Sequence, residues 1–222
     1  MTISRLLAAG FVLASCAPEQ SDDAALGHIA EAAADTALQR DANSVDPAHR
    51  ITLDGLGPYR AGMTIGEFRS AAGDTGLEFD PDFMVDLSAL CTTGEETPSV
   101  CAVVYMTESL TDDHGIAYLT TADPRFRTPD GIGPGVSLAD AEAVLGPATL
   151  SFSYANESRE FIRFAHAPEN WLFTPSRDEV EQFAGFYDLS TGAEHFETAQ
   201  YRPGTLIDSV DIYPLPDGQA RP

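Results

Sequence analysis

The chain of 222 residues contains no lysine, so its 12 basic side chains are all arginines, set against 35 acidic ones. A net charge of −23 repels phosphate backbones and anionic lipid surfaces, which argues against nucleic acid as a partner. Acidity on this scale reads as a solvated surface suited to solubility or a salty habitat; an acidic face for a basic partner is the alternative. Cysteine is scarce as well, with only Cys16, Cys91 and Cys101.

Signatures of chemistry are missing. His28, His49, His114, His166 and His195 are scattered with no His-x-x-x-His spacing, so no zinc site is expected. There is no Gly-x-Ser-x-Gly elbow; Gly133-Pro134-Gly135-Val136-Ser137 reads as a turn plus a helix cap. Gly131, Gly133 and Gly135 lack the spacing and the lysine of a phosphate-binding loop. Carboxylate pairs such as Asp178 with Glu181, or Glu157 with Glu160, are expected by chance in so acidic a chain. Clustered oxygen ligands around Asp112-Asp113, or Asp80-Pro81-Asp82 with Asp86, are the better candidates for a calcium ion, but neither follows the calcium-loop consensus. The expectation is a protein without a catalytic residue, cofactor or metal. No motif assigns a molecular activity.

The N-terminus carries an address. Arg5 and the amino terminus precede an apolar run from Leu6 to Ala14 that is too short to span a bilayer as a stable helix, the pattern of an export signal. Leu13-Ala14-Ser15-Cys16 resembles the bacterial lipobox, in which cleavage leaves the cysteine as a lipid-bearing N-terminus; an ordinary signal peptide is the alternative. Lipidation of Cys16, for instance with palmitate, removes the odd cysteine and leaves Cys91 and Cys101 to pair in an oxidising periplasm. Metal binding by that pair lacks any further ligand in the intervening segment. Ala17 after Cys16, by resemblance to Gram-negative lipoproteins, implies outer-membrane sorting, so the expected partners are the membrane through the anchor and a protein of the envelope.

Residues 1–15 are therefore expected to be a lipoprotein signal peptide and 16–49 a flexible tether, rich in Ala, Asp, Glu, Ser and Gln and poor in large apolar residues. At best a marginal helix capped by Ser21-Asp22-Asp23 runs through Leu26, Ile29, Ala33 and Leu38. Beyond it lies a duplication. Gly62-Met63-Thr64-Ile65-Gly66-Glu67-Phe68 closing at Gly73 is echoed by Gly135-Val136-Ser137-Leu138-Ala139-Asp140-Ala141 closing at Gly146, both at an offset of 73 positions. Each copy follows an Asp-Gly-apolar-Gly-Pro run, Asp54 to Pro58 and Asp130 to Pro134.

Thr64 with Glu67 spells a capping box and Met63 with Phe68 a hydrophobic staple over the stripe Ile65, Phe68 and Ala72. Ser137 caps the second helix, with Leu138, Ala141, Val144 and Leu145 expected to face inward. Strands are expected at Ile51–Leu53, 102–106 and 116–119, and in the second copy at 149–154, 161–164, 171–173, 183–187 and 210–212; the stretch around Asp80-Pro81-Asp82 reads as irregular. The fold class is α+β: two tandem modules, 50–127 and 128–214, each a short helical segment on an antiparallel sheet, with a tail at 215–222.

The Gly-Met-Thr helix start, the cysteine pair about thirty residues later and the duplication resemble the beta-lactamase inhibitory protein fold and the related SmpA/OmlA family of small outer-membrane lipoproteins. The resemblance implies a protein that binds other proteins and performs no chemistry. The second copy departs from the pattern, with Gly135-Val136-Ser137 at its helix start and no cysteine pair. Aromatic residues thicken there, from Phe152, Tyr154, Phe161, Phe164, Trp171 and Phe173 through Phe183, Phe186, Tyr187, Phe196, Tyr201 and Tyr213. Most belong to a core, and those left on the open sheet face are the candidate binding surface.

Overall fold

Two helices of eight residues start where the hydroxyl caps stand. In α1 (Ile65–Ala72) the Glu67 amide donates to Thr64 Oγ1 at 3.3 Å and the Thr64 amide to Glu67 Oε2 at 2.8 Å, a complete capping box. In α2 (Leu138–Leu145) the Asp140 amide donates to Ser137 Oγ at 3.1 Å, and the shorter Asp140 carboxylate accepts the serine hydroxyl at 2.6 Å. Gly73 and Gly146 end the helices at φ 58° and 78°, values that favour glycine. The buried stripes are Ile65, Phe68 and Ala72, then Leu138, Ala141 and Leu145. Val144 is 44% exposed, against the inward position expected, because it stands to the side of the stripe that 138, 141 and 145 define.

The computed structural model describes residues 45–93, 100–177 and 182–215. The signal peptide, Cys16, nearly all of the tether with its marginal helix, Asp178 and Glu181 fall outside them. A short ribbon of β1 (Ile51–Thr52), β2 (Gly55–Leu56) and β3 (Tyr59–Arg60) precedes α1. The remaining strands are β4 (Leu77–Met84), β5 (Leu87–Thr92), β6 (Cys101–Tyr105), β7 (Tyr118–Thr121), β8 (Ala148–Ser153), β9 (Glu160–Phe164), β10 (Trp171–Pro175), β11 (His195–Thr198) and β12 (Ile207–Ile212). These nine form one sheet in the order β11-β8-β9-β10-β12-β7-β6-β5-β4, every neighbour antiparallel. The class is α+β, and the sheet dominates it.

Each helix is followed by a meander, β4 to β7 after α1 and β8 to β10 with β12 after α2, and the two meanders meet where β7 pairs with β12. That join registers Val210 with Thr121, Asp211 with Thr120 and Ile212 with Leu119. Where strands 4 and 5 stand, an irregular stretch was expected. Asp80-Pro81-Asp82 is tolerated because β4 is the last strand of the sheet, and its register against β5 shifts between Asp80 and Met84. The expected strand at 183–187 is absent: the amides of Ala184 and Gly185 donate to the Glu160 carboxylate, and only a single bridge links Gly185 to Tyr201.

Side chains alternate between the faces of the sheet. Leu119, Val210, Ile212, Phe173, Ile162 and Leu150 point to the helices and join their stripes in one continuous core. A smaller apolar cluster, Ala89, Val103, Tyr118 and the cysteine pair, lies on the opposite face. Trp171 and Asn170 tie the ribbon to the sheet: the indole N–H and the Asn170 amide both donate to the Leu53 carbonyl, at 3.2 and 2.8 Å, and the amide also reaches Tyr213 O at 3.0 Å.

Candidate binding cleft

The helix-free face of the sheet holds a cleft of about 680 Å³ where the two meanders join. Strand alternation builds its floor. On β7 the outward residues are Tyr118 and Thr120, on β12 Ser209 and Asp211, on β10 Thr174 and on β9 Phe161, while the residues between them belong to the core. Met84 and Leu87, flanking the β4–β5 turn, supply one wall, and Asn156, Arg159 and Arg177 supply the other. Tyr213, just past β12, stacks on Tyr118 with ring centroids 4.9 Å apart. Beside this stack stands an exposed apolar lip of Val85, Tyr105 and Met106, at 56%, 77% and 56% exposure.

Asp211 is the buried acid of the floor. Burial pushes its carboxyl up to about 7, against the opposing pull of a hydrogen bond from Thr120 and the positive charge of Arg159. Tyr213 is pushed up to about 12, first by burial and then by the Asp211 charge, and Tyr118 is raised by the same causes. The two tyrosines therefore keep their protons at neutrality, where Asp211 is only partly protonated, and the floor presents hydrogen-bond donors.

Arg159 follows two successive non-glycine residues in the left-handed region, Glu157 at φ 53° and Ser158 at φ 56°. That conformation is costly for residues with a Cβ and persists where surrounding contacts impose it. Here Ser158 N bonds to Ser153 O at 3.1 Å, Arg159 N to Asn156 O at 2.9 Å, and Arg177 Nη2 reaches Ser158 O at 2.7 Å. The guanidinium that results is poorly matched. Its Nη1 meets the Met84 thioether at 2.6 Å, Nη2 meets Asn156 Oδ1 at 2.7 Å with Glu157 at 3.6 Å, and Nε is buried without an acceptor.

Arg177, by contrast, is paired. Its Nε lies 3.4 Å from Glu160, which is fully buried and also accepts from Ala184 N at 2.7 Å, Gly185 N at 2.8 Å and the Tyr187 hydroxyl at 2.9 Å. Glu160 is thus an anchor for the 183–187 segment, and its chance pairing with Glu157 has no structural counterpart. Phe183 and Tyr187 in turn pack on Phe152, at 4.1 and 4.7 Å between centroids, with Phe196 on Phe152 at 4.8 Å.

Cys91 and Cys101 are bonded and stand opposite one another in the β5–β6 ladder. Asp112 lies 3.4 Å from Arg69, Asp113 accepts the Thr111 hydroxyl, and Asp80 accepts the Asp82 amide. Among the described residues no three potential ligands gather as a metal site, and no helix is long and apolar enough to cross a membrane. Of the second-half aromatics, Phe161 and Tyr213 line the cleft, Tyr154 and Phe186 are exposed elsewhere, and Phe152, Phe164, Phe173 and Phe196 are core. Tyr118, Thr120, Arg159 and Asp211 were not singled out in the sequence. Asp211, set between the apolar Val210 and Ile212 near the end of the strand Ile207–Ile212, is the one local signal that could have drawn attention to the site.

No family model and no curated protein matches the chain. Among solved structures it is similar to the uncharacterized protein yfeY from Escherichia coli, at 11% identity and a TM-score of 0.47, over 74% of this chain and 99% of that one.

Proposed function

We propose that this is a lipid-anchored protein of the bacterial outer membrane, facing the periplasm, that binds an envelope component or another protein through the helix-free face of its sheet. The observation that carries the reading is the cleft at the β7–β12 join: a stacked tyrosine pair, buried donors and an adjoining exposed apolar lip on the face opposite α1 and α2. The surface extends beyond the second segment, since Met84, Leu87, Tyr118 and Thr120 come from the first. Two copies of one module, as in the SmpA/OmlA and beta-lactamase inhibitory protein resemblance, make the join a natural site. Matched contacts support the duplication: Ile65 N to His114 O and Leu138 N to Thr205 O are both 2.9 Å, and Ile116 N to Met63 O at 3.1 Å corresponds to Ile207 N to Val136 O at 2.8 Å.

A photo-crosslinking phenylalanine analogue at position 105 tests the surface in intact cells. A defined adduct that disappears on Tyr213→Ala, with the variant still folded, is the expected result; no adduct from 105 or from neighbouring positions overturns it. The anchor is tested separately: Cys16→Ser should abolish palmitate labelling, and unchanged labelling sinks that part. An enzyme is the second reading, favoured by one observation, the Asp211 carboxyl near 7 in a cleft, where a general acid or base could work. Turnover of a bound component, abolished by Asp211→Asn, would favour it over the binder.

A further inference from the structure

We infer that the cleft takes a small amphipathic monocarboxylate, its carboxylate held by the Arg159 guanidinium and its apolar body laid along Leu87 and the Tyr118–Tyr213 stack. The inference rests on the binding role proposed for this face and gives its ligand a chemical class. The warrant is a mismatch of partners. A buried guanidinium nitrogen without an acceptor is costly, and a thioether is a weak acceptor for the neighbouring Nη1. Its carboxylate neighbour, Glu157 at 3.6 Å from Nη2, is half exposed and screened by solvent, so the guanidinium is left open to a stronger charged acceptor.

The other charged groups do not supply it. Arg177 is paired with Glu160 at 3.4 Å, so neither brings a free charge to Arg159. Asp211 accepts a hydrogen bond from Thr120 and holds its own proton up to about neutrality. A protonated Asp211 beside Arg159 adds a donor for a carboxylate, as Tyr118 and Tyr213 do with their hydroxyls. Two successive left-handed residues fix the backbone that presents Arg159, so the anchor is set before a ligand arrives. The volume, about 680 Å³, lies within the range of sites for small organic ligands, and the lining sets Met84, Leu87, Phe161 and the tyrosine rings beside a larger set of polar groups, as an amphipathic ligand requires.

The test is calorimetric titration of the full chain with 3-phenylpropionate, its amide, and phenylethylamine as the cationic counterpart. A tripeptide ending in phenylalanine, with free or amidated C-terminus, separates a peptide end from a free organic acid. The carboxylate should bind about tenfold or more tightly than amide or amine. Arg159→Gln should lose that preference and Arg159→Lys should recover part of it. Affinity should fall from about pH 6 to about pH 8, as Asp211 ionises and competes for Arg159, and Asp211→Asn should flatten that profile. The charged and titratable groups around Asp211 and Arg159 are Tyr118, Tyr213, Glu157, Glu160, Arg177 and Asp208; the tyrosines change charge well above this window, and the flattened Asp211→Asn profile separates Asp211 from the other carboxyl groups. Preference for the amine, an unchanged Arg159→Gln, or no carboxylate binding tighter than about 1 mM overturns the inference. A crosslinked partner at position 105 that persists in that last case leaves the binding role standing without this ligand.

Discussion

Single residues in this fold carry charge to places where charge is expensive. Asp211 has its carboxyl raised from the ordinary 3.8 to about 7 by burial, so between those values the folded chain keeps a proton that the unfolded chain has released. Stability is greatest below about pH 4 on this account and falls as pH rises through 7, by at most about 4 kcal/mol at about 1.4 kcal/mol per unit. Asp211→Asn should therefore be near neutral at about pH 3.5 and stabilising at about pH 8, read from urea midpoints at the two pH values. A stability difference that does not change with pH refutes it. Glu160 is buried among partners: three short donors and an arginine surround its carboxyl group. Glu160→Gln turns an amide group toward those donors and should cost about 3 kcal/mol, seen as a lower urea midpoint at unchanged slope.

Elements whose signals are local were legible in the sequence. Both helices sit where Thr64, Ser137, Gly73 and Gly146 mark them, because caps and stops act over a few residues. Elements decided at long range were not. Pro81 and its flanking aspartates look like a loop, and only the terminal position of β4 in the sheet lets them be strand. The aromatic segment 183–187 looks like a strand, yet its amides are taken by a side chain more than twenty residues away. The cleft was hidden for the same reason, since β7 and β12 are about 90 positions apart and no spacing within either announces the other. The β5–β6 hairpin is where a covalent link adds to the ladder. Replacing both Cys91 and Cys101 by serine should lower stability by about 3 kcal/mol on the chain-entropy argument, measured by denaturation of oxidised wild type against the variant.

Among the described residues, the two halves are joined by a strand pairing and share the larger of two apolar clusters. Strands 7 and 12 carry the ladder between the halves, and the apolar cluster runs from Ile51 to Ile212 without a break. Trp171, the sole tryptophan, lies in the second half and hydrogen-bonds Leu53 in the first. Its fluorescence and the far-ultraviolet circular dichroism should consequently change together in a single transition, and a fragment of residues 50–127 should not hold a fold. Two separated transitions would refute this, whatever the ancestry of the halves.

A sheet of nine strands has two ends at which another molecule could continue the ladder, and the β4 end has its own guard. Pro81 offers no amide hydrogen, Glu78, Asp80 and Asp82 project charge into solvent, and the register shift bends the strand away from a straight template. In a chain without lysine the guard is acidic. The residues that disguised the strand in the sequence thus serve to stop polymerisation, and the triple change Asp80→Thr, Pro81→Val, Asp82→Thr should convert β4 into a sticky edge. Gel filtration of that variant should show dimers or larger ladders absent from the wild type; an unchanged elution means that edge-to-edge growth is blocked elsewhere.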